Sequence, residues 1–260
     1  MALRTVRRRA PHLLAAITAL SLLTSCTVNG VGSPDIPAVS VAPGGPDSVG
    51  APSEQRALSL GKLLATLDVD AATAALATLT VVSEQPHGYD RDAFGPAWSD
   101  VDGNGCNQRD DVLVRDASSG TVRTQAQGDC AHDVVAGQWL DPYTGAVLTF
   151  TNLKDPEQAQ AIPIDHVVPL AEAHRSGAHA WSAGRREQFA NDTANLVAVG
   201  GAANAAKSDA DPAGWLPPEP VRCAYARVWV DVKARWVLTV DPAEGAALSA
   251  VLDGCSTDGG

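Results

Sequence analysis

Apolar positions change period several times along the chain, and each change marks an element. Leu60, Leu63, Leu64 and Leu67 share one helical face; the Asp68-Val69-Asp70 break follows, and residues 71–79 predict a second helix. Residues 112–114 read as a short strand. Residues 134–139 and 146–150 read as two strands joined by the turn Asp141-Pro142-Tyr143-Thr144-Gly145, a β-hairpin. Residues 162–168 form an apolar run closed by Pro169. Residues 170–183 and 185–190 predict helix, and 195–199 a strand. Residues 202–207 start a helix after Gly200-Gly201, and 222–236 and 243–252 are amphipathic helices. Short strands interleaved with helices predict an α+β domain. The tryptophans at 98, 139, 181, 215, 229 and 236 are expected in the core, and His174 and His179 on the surface or in packing.

The N-terminal run is of another kind. Arg4, Arg7, Arg8 and Arg9 precede an apolar stretch at 13–23 that is too short to span a bilayer, the pattern of an export signal over residues 1–25. The run ends Leu23-Thr24-Ser25-Cys26, small residues before a Cys, which resembles a bacterial lipobox. Cys26 is then acylated and anchors the protein on the outer face of the cell membrane; an ordinary signal cut near Ser25 would give a secreted protein instead. Residues 26–55 are rich in Pro, Gly, Ser and Val and predict a flexible tether. Residues 56–255 are expected to form a single domain, and 256–260 a disordered tail.

Five cysteines are present, and acylation of Cys26 leaves Cys106, Cys130, Cys223 and Cys255 for an oxidising compartment. Three pairings are open, and local closure favours Cys106–Cys130 with Cys223–Cys255. No Cys-x-x-Cys pair supports zinc as the rival use. The formal charge is −11, and losing four leader arginines with no acid makes the exported part more negative still. Such a body has no general attraction for polyanions. A nucleic-acid substrate would need a local basic patch, for which Arg109 and Arg186, and then Arg175 and Arg185, are the candidates.

Asp165-His166 sits in the apolar run at 162–168, Asn195 opens the next strand, and Asn204 and Lys207 follow on a helix. The set holds a general base, hard oxygen donors for a divalent cation and a cation for a phosphate, the parts of metal-assisted phosphodiester hydrolysis. Alternation along a strand sends Asp165 and His166 to opposite faces, so one shared site requires a local distortion. A second motif, Asp100, Asp102, Asn104 and Gly105, matches half of an EF-hand calcium loop, with Asp111 where that loop carries Glu. A tight Asx-rich turn presenting Cys106 and Arg109 is the simpler expectation.

The motifs DHVVPL, FANDTANLVAV and NAAKSDADPAGWLPP, in this order and spacing, resemble the HNH endonuclease superfamily. They look most like the C-terminal nuclease domain of GmrSD-type restriction endonucleases, in a branch that includes small exported actinobacterial proteins. The resemblance implies a disulfide-stapled ββα-metal (His-Me finger) core with added helices and a β-hairpin, its motif core at 162–217. It implies His166 as general base, Asp165 and Asn204 as ligands of Mg²⁺ or Mn²⁺, and Asn195 as the residue that fixes the loop and orients the His166 imidazole. Lys207 is implied as a phosphate contact. The substrate implied is DNA, with RNA as the alternative, cut with little sequence specificity. Two other classes compete: a non-catalytic surface lipoprotein that keeps the fold for binding, and a metallophosphodiesterase acting on small substrates.

Overall fold

The computed structural model describes residues 67–255. The export signal, Cys26, the tether, the helical face at Leu60, Leu63 and Leu64, and the tail at 256–260 lie outside the described residues. The elements run α1 (Val69–Leu76), a 3-10 turn (Arg91–Phe94), α2 (Gln108–Asp116), β1 (Arg123–Gln127), β2 (Cys130–Leu140), β3 (Val147–Phe150), α3 (Pro156–Ala161), β4 (Ile164–His166), α4 (Leu170–Arg175), a second 3-10 turn (Ala178–Ala180), α5 (Ala183–Ala190), β5 (Leu196–Ala198), α6 (Gly201–Lys207), α7 (Glu219–Trp236) and α8 (Pro242–Asp253). The mixed composition is α+β. Among the described residues, no helix is long and apolar enough to cross a membrane.

Two antiparallel sheets organise the described residues. One has the order β1-β2-β3, and the other pairs β4 with β5 in the register Ile164↔Ala198, Asp165↔Val197, His166↔Leu196. The two faces of the β4–β5 pair meet different cores. Ile164, Leu196 and Ala198 pack with Val112, Leu113, Val134 and Trp139, whereas Val167, Val197 and Val199 pack with Tyr143, Tyr225 and Trp229 under α7. Strand alternation therefore puts Asp165, opposite Val197, on the α7 side, and His166, opposite Leu196, on the other.

Residues 112–114, expected as a strand, lie inside helix α2. The buried positions Gln108, Val112, Leu113 and Asp116 recur at helical spacing, but two of them are polar and hid the period. Asn107 caps the helix by accepting from the Asp110 amide. The helix expected over 170–183 stops at Arg175, where Gly177 takes φ 136°, a conformation that suits glycine. Strand β1 is polar and exposed throughout, so it gave no apolar signal.

The closing helices are held by buried charge. Lys233, fully buried, donates to Glu172 Oε1 at 2.6 Å and to the Thr239 carbonyl at 2.8 Å, and lies 2.7 Å from Glu244 Oε1. Glu244 also completes the capping box of α8 with Asp241. Arg175 extends this network, contacting Glu172 at 2.9 Å, Asp209 at 2.9 Å and Glu84 at 3.1 Å. Burial, first, pushes the Glu84 and Glu244 carboxyls up to about 7. Among the described residues the disulfides are the two local ones, Cys106–Cys130 and Cys223–Cys255.

Candidate active site

The Asp165-His166 pair ends strand β4, and a cleft of about 400 Å³ opens there. It is bordered by Asp165, His166, Asn204, Ser208, Asp209 and Arg91. The strand pairs regularly with β5 and needs no distortion; both residues reach the same cleft because the strand stops at His166.

His166 is buried. Its Nε2 lies 2.8 Å from the Ala190 carbonyl, and a carbonyl only accepts, so Nε2 carries the hydrogen and Nδ1 is left as the acceptor. Burial chiefly, with Arg91 and Lys207 nearby, lowers its pKa to about 4. The imidazole is therefore neutral at neutral pH, the form a general base requires. The indole of Trp98 lies nearly parallel to it, at 13° with ring centroids 6.3 Å apart.

Asp165 is buried on the other face. Its Oδ2 accepts from the Tyr143 hydroxyl at 2.7 Å and its Oδ1 from Lys207 Nζ at 3.1 Å. Burial raises its pKa against the opposing pull of Lys207. Tyr143 is itself fully buried, and desolvation with the neighbouring carboxylate holds its phenol protonated. Lys207 is wholly buried and also donates to the His166 carbonyl at 2.8 Å. This corrects the expected phosphate contact: the ammonium lies beneath the strand, bonded to Asp165 and the β4 backbone.

Asn195 bonds to the backbone just after β4. Its Oδ1 accepts from the Val168 amide at 2.8 Å and its Nδ2 donates to the Val168 carbonyl at 3.0 Å. It does not orient the imidazole, because both ends of its amide are used there; Ala190 does that. Asn204 borders the cleft from α6, and its side chain has no partner among the described residues.

The arginines expected on phosphate are committed elsewhere. Arg109 donates to the Ile162 and Ala159 carbonyls, each at 3.0 Å, and Arg186 to those of Ala93 and Trp181 at 2.8 and 2.6 Å. Both satisfy helix and turn carbonyls that would otherwise be left without donors. Arg175 belongs to the buried network, and Arg185 lies over Trp181 while donating to the Trp236 carbonyl. The exposed guanidinium at the cleft is Arg91, which the sequence did not single out. At the EF-hand-like segment, Asp100 accepts from the amides of Gly103, Asn104 and Gly105, and Asn104 Nδ2 donates to Asp111. This is the Asx-rich turn, closed on itself.

Whether the site suits a divalent ion turns on its donors. Asp165 accepts from Tyr143, from the His166 backbone and from Lys207, whose Nζ lies 3.1 Å from each carboxylate oxygen, and a carboxylate has about four lone-pair directions, so one remains for an ion. Asn204 adds an amide oxygen. Two hard oxygens, with water completing the shell, fit the sparse protein ligation of Mg²⁺ or Mn²⁺.

The model of the family described as GmrSD restriction endonucleases, C-terminal domain, matches residues 107–251. A protein of Arthroderma benhamiae described as an uncharacterized secreted protein is 40% identical over 188 residues, covering 71% of this chain and 84% of that protein. No solved structure matches the chain.

Proposed function

The chain belongs to the family of GmrSD restriction endonuclease C-terminal domains, and from that premise we propose that it is an exported, metal-dependent endonuclease with an HNH-type ββα core. In this reading β4, β5 and α6 are the two strands and the helix of that core. The substrate is DNA or RNA, cut with little sequence specificity. The observation that carries the reading is the state of His166, a residue bordering the cleft: a neutral, buried imidazole whose Nε2–H is fixed on a carbonyl and whose Nδ1 is left as the acceptor.

In the proposed reaction Nδ1 takes the proton of a water as its oxygen bonds to phosphorus and the P–O bond to the leaving oxygen breaks. The proton then passes to the leaving alkoxide, directly or through solvent. Arg91, exposed at the cleft, pairs with the phosphate. Asp165 and Asn204 would hold the Mg²⁺ or Mn²⁺ ion, which would supply charge stabilisation of the phosphoryl and leaving oxygens. Tyr143 and Lys207 hold the Asp165 carboxylate in place for that role.

Export places this activity outside the cytoplasm, a reading supported by the leader sequence and by the secreted relative. Acylation of Cys26 would hold it at the membrane surface through the 26–55 tether. The test is incubation of residues 27–260 with supercoiled plasmid, single-stranded DNA and RNA in Mg²⁺, Mn²⁺ or EDTA, beside His166→Ala. Metal-dependent nicking that His166→Ala loses supports the assignment. No cleavage of any substrate in any metal removes it, and a small chromogenic phosphodiester then becomes the next substrate to try.

A further inference from the structure

We propose that the cavity beside His166, on the side away from Asp165, is a subsite for one unpaired pyrimidine base of the nucleic acid being cut. The inference rests on the nuclease reading above and deepens it: the enzyme selects unstacked, pyrimidine-containing strands.

The cavity measures about 90 Å³ and is walled by Trp98, His166, Phe94, Arg91 and Asn191. It is separate from the phosphate cleft, and His166 and Arg91 border both. A strand whose phosphate lies at His166 therefore has a neighbouring base at the mouth of this cavity.

Three features mark it as a recognition site. Asn191 is 2% exposed, and its Oδ1 is buried with no hydrogen-bond partner, while its Nδ2 is used on the Glu187 carbonyl. A buried acceptor without a donor is unfavourable, so a ligand N–H that reaches it is favoured. The N3–H of thymine or uracil and the 4-amino group of cytosine are such donors. Second, Trp98 is only partly buried and offers an indole face beside the reactive imidazole. Third, Trp98 stands at φ 61°, an unfavourable backbone region for a bulky side chain. The chain holds the indole there against that cost.

Size chooses the base. An enclosed cavity that accepts benzene measures about 150 Å³. At about 90 Å³, one six-membered ring enters edge-first and in part, and the larger bicyclic purine is accommodated less well. A base within a duplex must first be unpaired and unstacked, which disfavours duplex substrates.

The experiment has two arms. In the first, kcat/KM is measured with Mg²⁺ or Mn²⁺ on oligo(dT), oligo(dC), oligo(dA) and a linear duplex, for the wild type, Trp98→Leu and Trp98→Phe. Stacking of a base on an aromatic side chain is worth about five- to a hundredfold. The wild type is expected to favour oligo(dT) and oligo(dC) over oligo(dA) and duplex by that order. In Trp98→Leu the ratio moves toward one, whatever happens to the absolute rate, and Trp98→Phe restores it. In the second arm, thymidine monophosphate, deoxyadenosine monophosphate and inorganic phosphate are titrated in EDTA while the imidazole resonances of His166 are followed. A saturable shift with the thymidine nucleotide alone, absent in Trp98→Leu, supports the subsite.

Cleavage without base preference, together with equal shifts from all three titrants or none, overturns the subsite and leaves the nuclease standing. No cleavage of any substrate overturns the nuclease, and the titration then decides the pocket by itself. Circular dichroism and melting of both variants exclude a folding defect as the cause.

Discussion

Lys207 Nζ lies 3.1 Å from Asp165 Oδ1, between two buried side chains 42 residues apart. The same ammonium binds the His166 carbonyl, so one cation ties helix α6 to both residues of the Asp-His pair. Removing it leaves a buried carboxylate held by Tyr143 and the His166 backbone. Lys207→Met is expected to lower stability by about 3–5 kcal/mol, as broken buried pairs do. Urea unfolding of Lys207→Met, Asp165→Asn and the double variant checks this. The double variant should cost clearly less than the sum of the single ones; strict additivity would show that the two groups are not coupled.

His166→Ala is expected to reduce kcat by about 10²–10⁴-fold, the usual worth of a positioned base, with the far-UV spectrum unchanged. The pH profile is the more discriminating readout. With the imidazole lowered to about 4, kcat/KM should hold from neutral pH down toward that value and fall below it, where Nδ1 is protonated. An ordinary solvent-exposed histidine would give the acid limb near 6.5, and a limb there would contradict the buried, neutral assignment. The same depression acts on stability. Between 6.5 and about 4 the unfolded chain binds the extra proton, so this group's contribution is full above 6.5 and is lost as pH falls through the window.

The Glu84 and Glu244 carboxyls act in the opposite sense. Both are raised from 4.5 to about 7, so between those values the folded protein binds more protons than the unfolded chain. Their contribution is present below 4.5 and disappears as pH rises through about 7. The difference in stability between wild type and Glu244→Gln isolates this from His166. Wild type should lose stability relative to the variant as pH rises from 5 to 7.5, followed as unfolding midpoints at half-unit steps. A constant difference across that range would show that the Lys233 contact keeps Glu244 ionised throughout.

The motif core was legible because its elements are apolar runs with clear stops: Pro169 after the first, Asn195 before the second, and Gly200-Gly201 before α6. Asp165, His166 and Asn204 meet at one cleft because those stops are where the strands end. The side-chain roles were less legible. Lys207 reads as a phosphate contact until tertiary packing buries it, and Arg109 and Arg186 read as free cations until their carbonyl partners are known. Arg91 and Trp98 lie far from the motif in sequence, Asn191 sits inside FANDTANLVAV without standing out there, and the fold brings all three to His166. Helix α2 was misread as a strand because Gln108 and Asp116 fill core-facing positions with polar side chains.

The Cys106–Cys130 bond joins the entry to α2 with the first residue of β2, and α2 supports the active strands. Its Asp116 accepts the Ala198 amide at 2.8 Å, and its Arg115 donates to the Leu196 and Thr193 carbonyls, each at 2.6 Å. Strand β5 is therefore held by β4 on one side and by α2 side chains on the other. The bond spans a sequence separation of 24, for which restriction of the unfolded chain is worth about 3–4 kcal/mol. Cys106→Ser/Cys130→Ser is expected to lose that amount and to speed amide exchange in β5. At a temperature where the variant remains folded, kcat should change little, because no reacting group touches the sulfurs. Cys223→Ser/Cys255→Ser, whose bond staples α7 to the end of α8, should lose a similar amount without faster exchange in β5. Equal exchange in the two variants would mean that α2 does not transmit the constraint to the Asp-His strand pair.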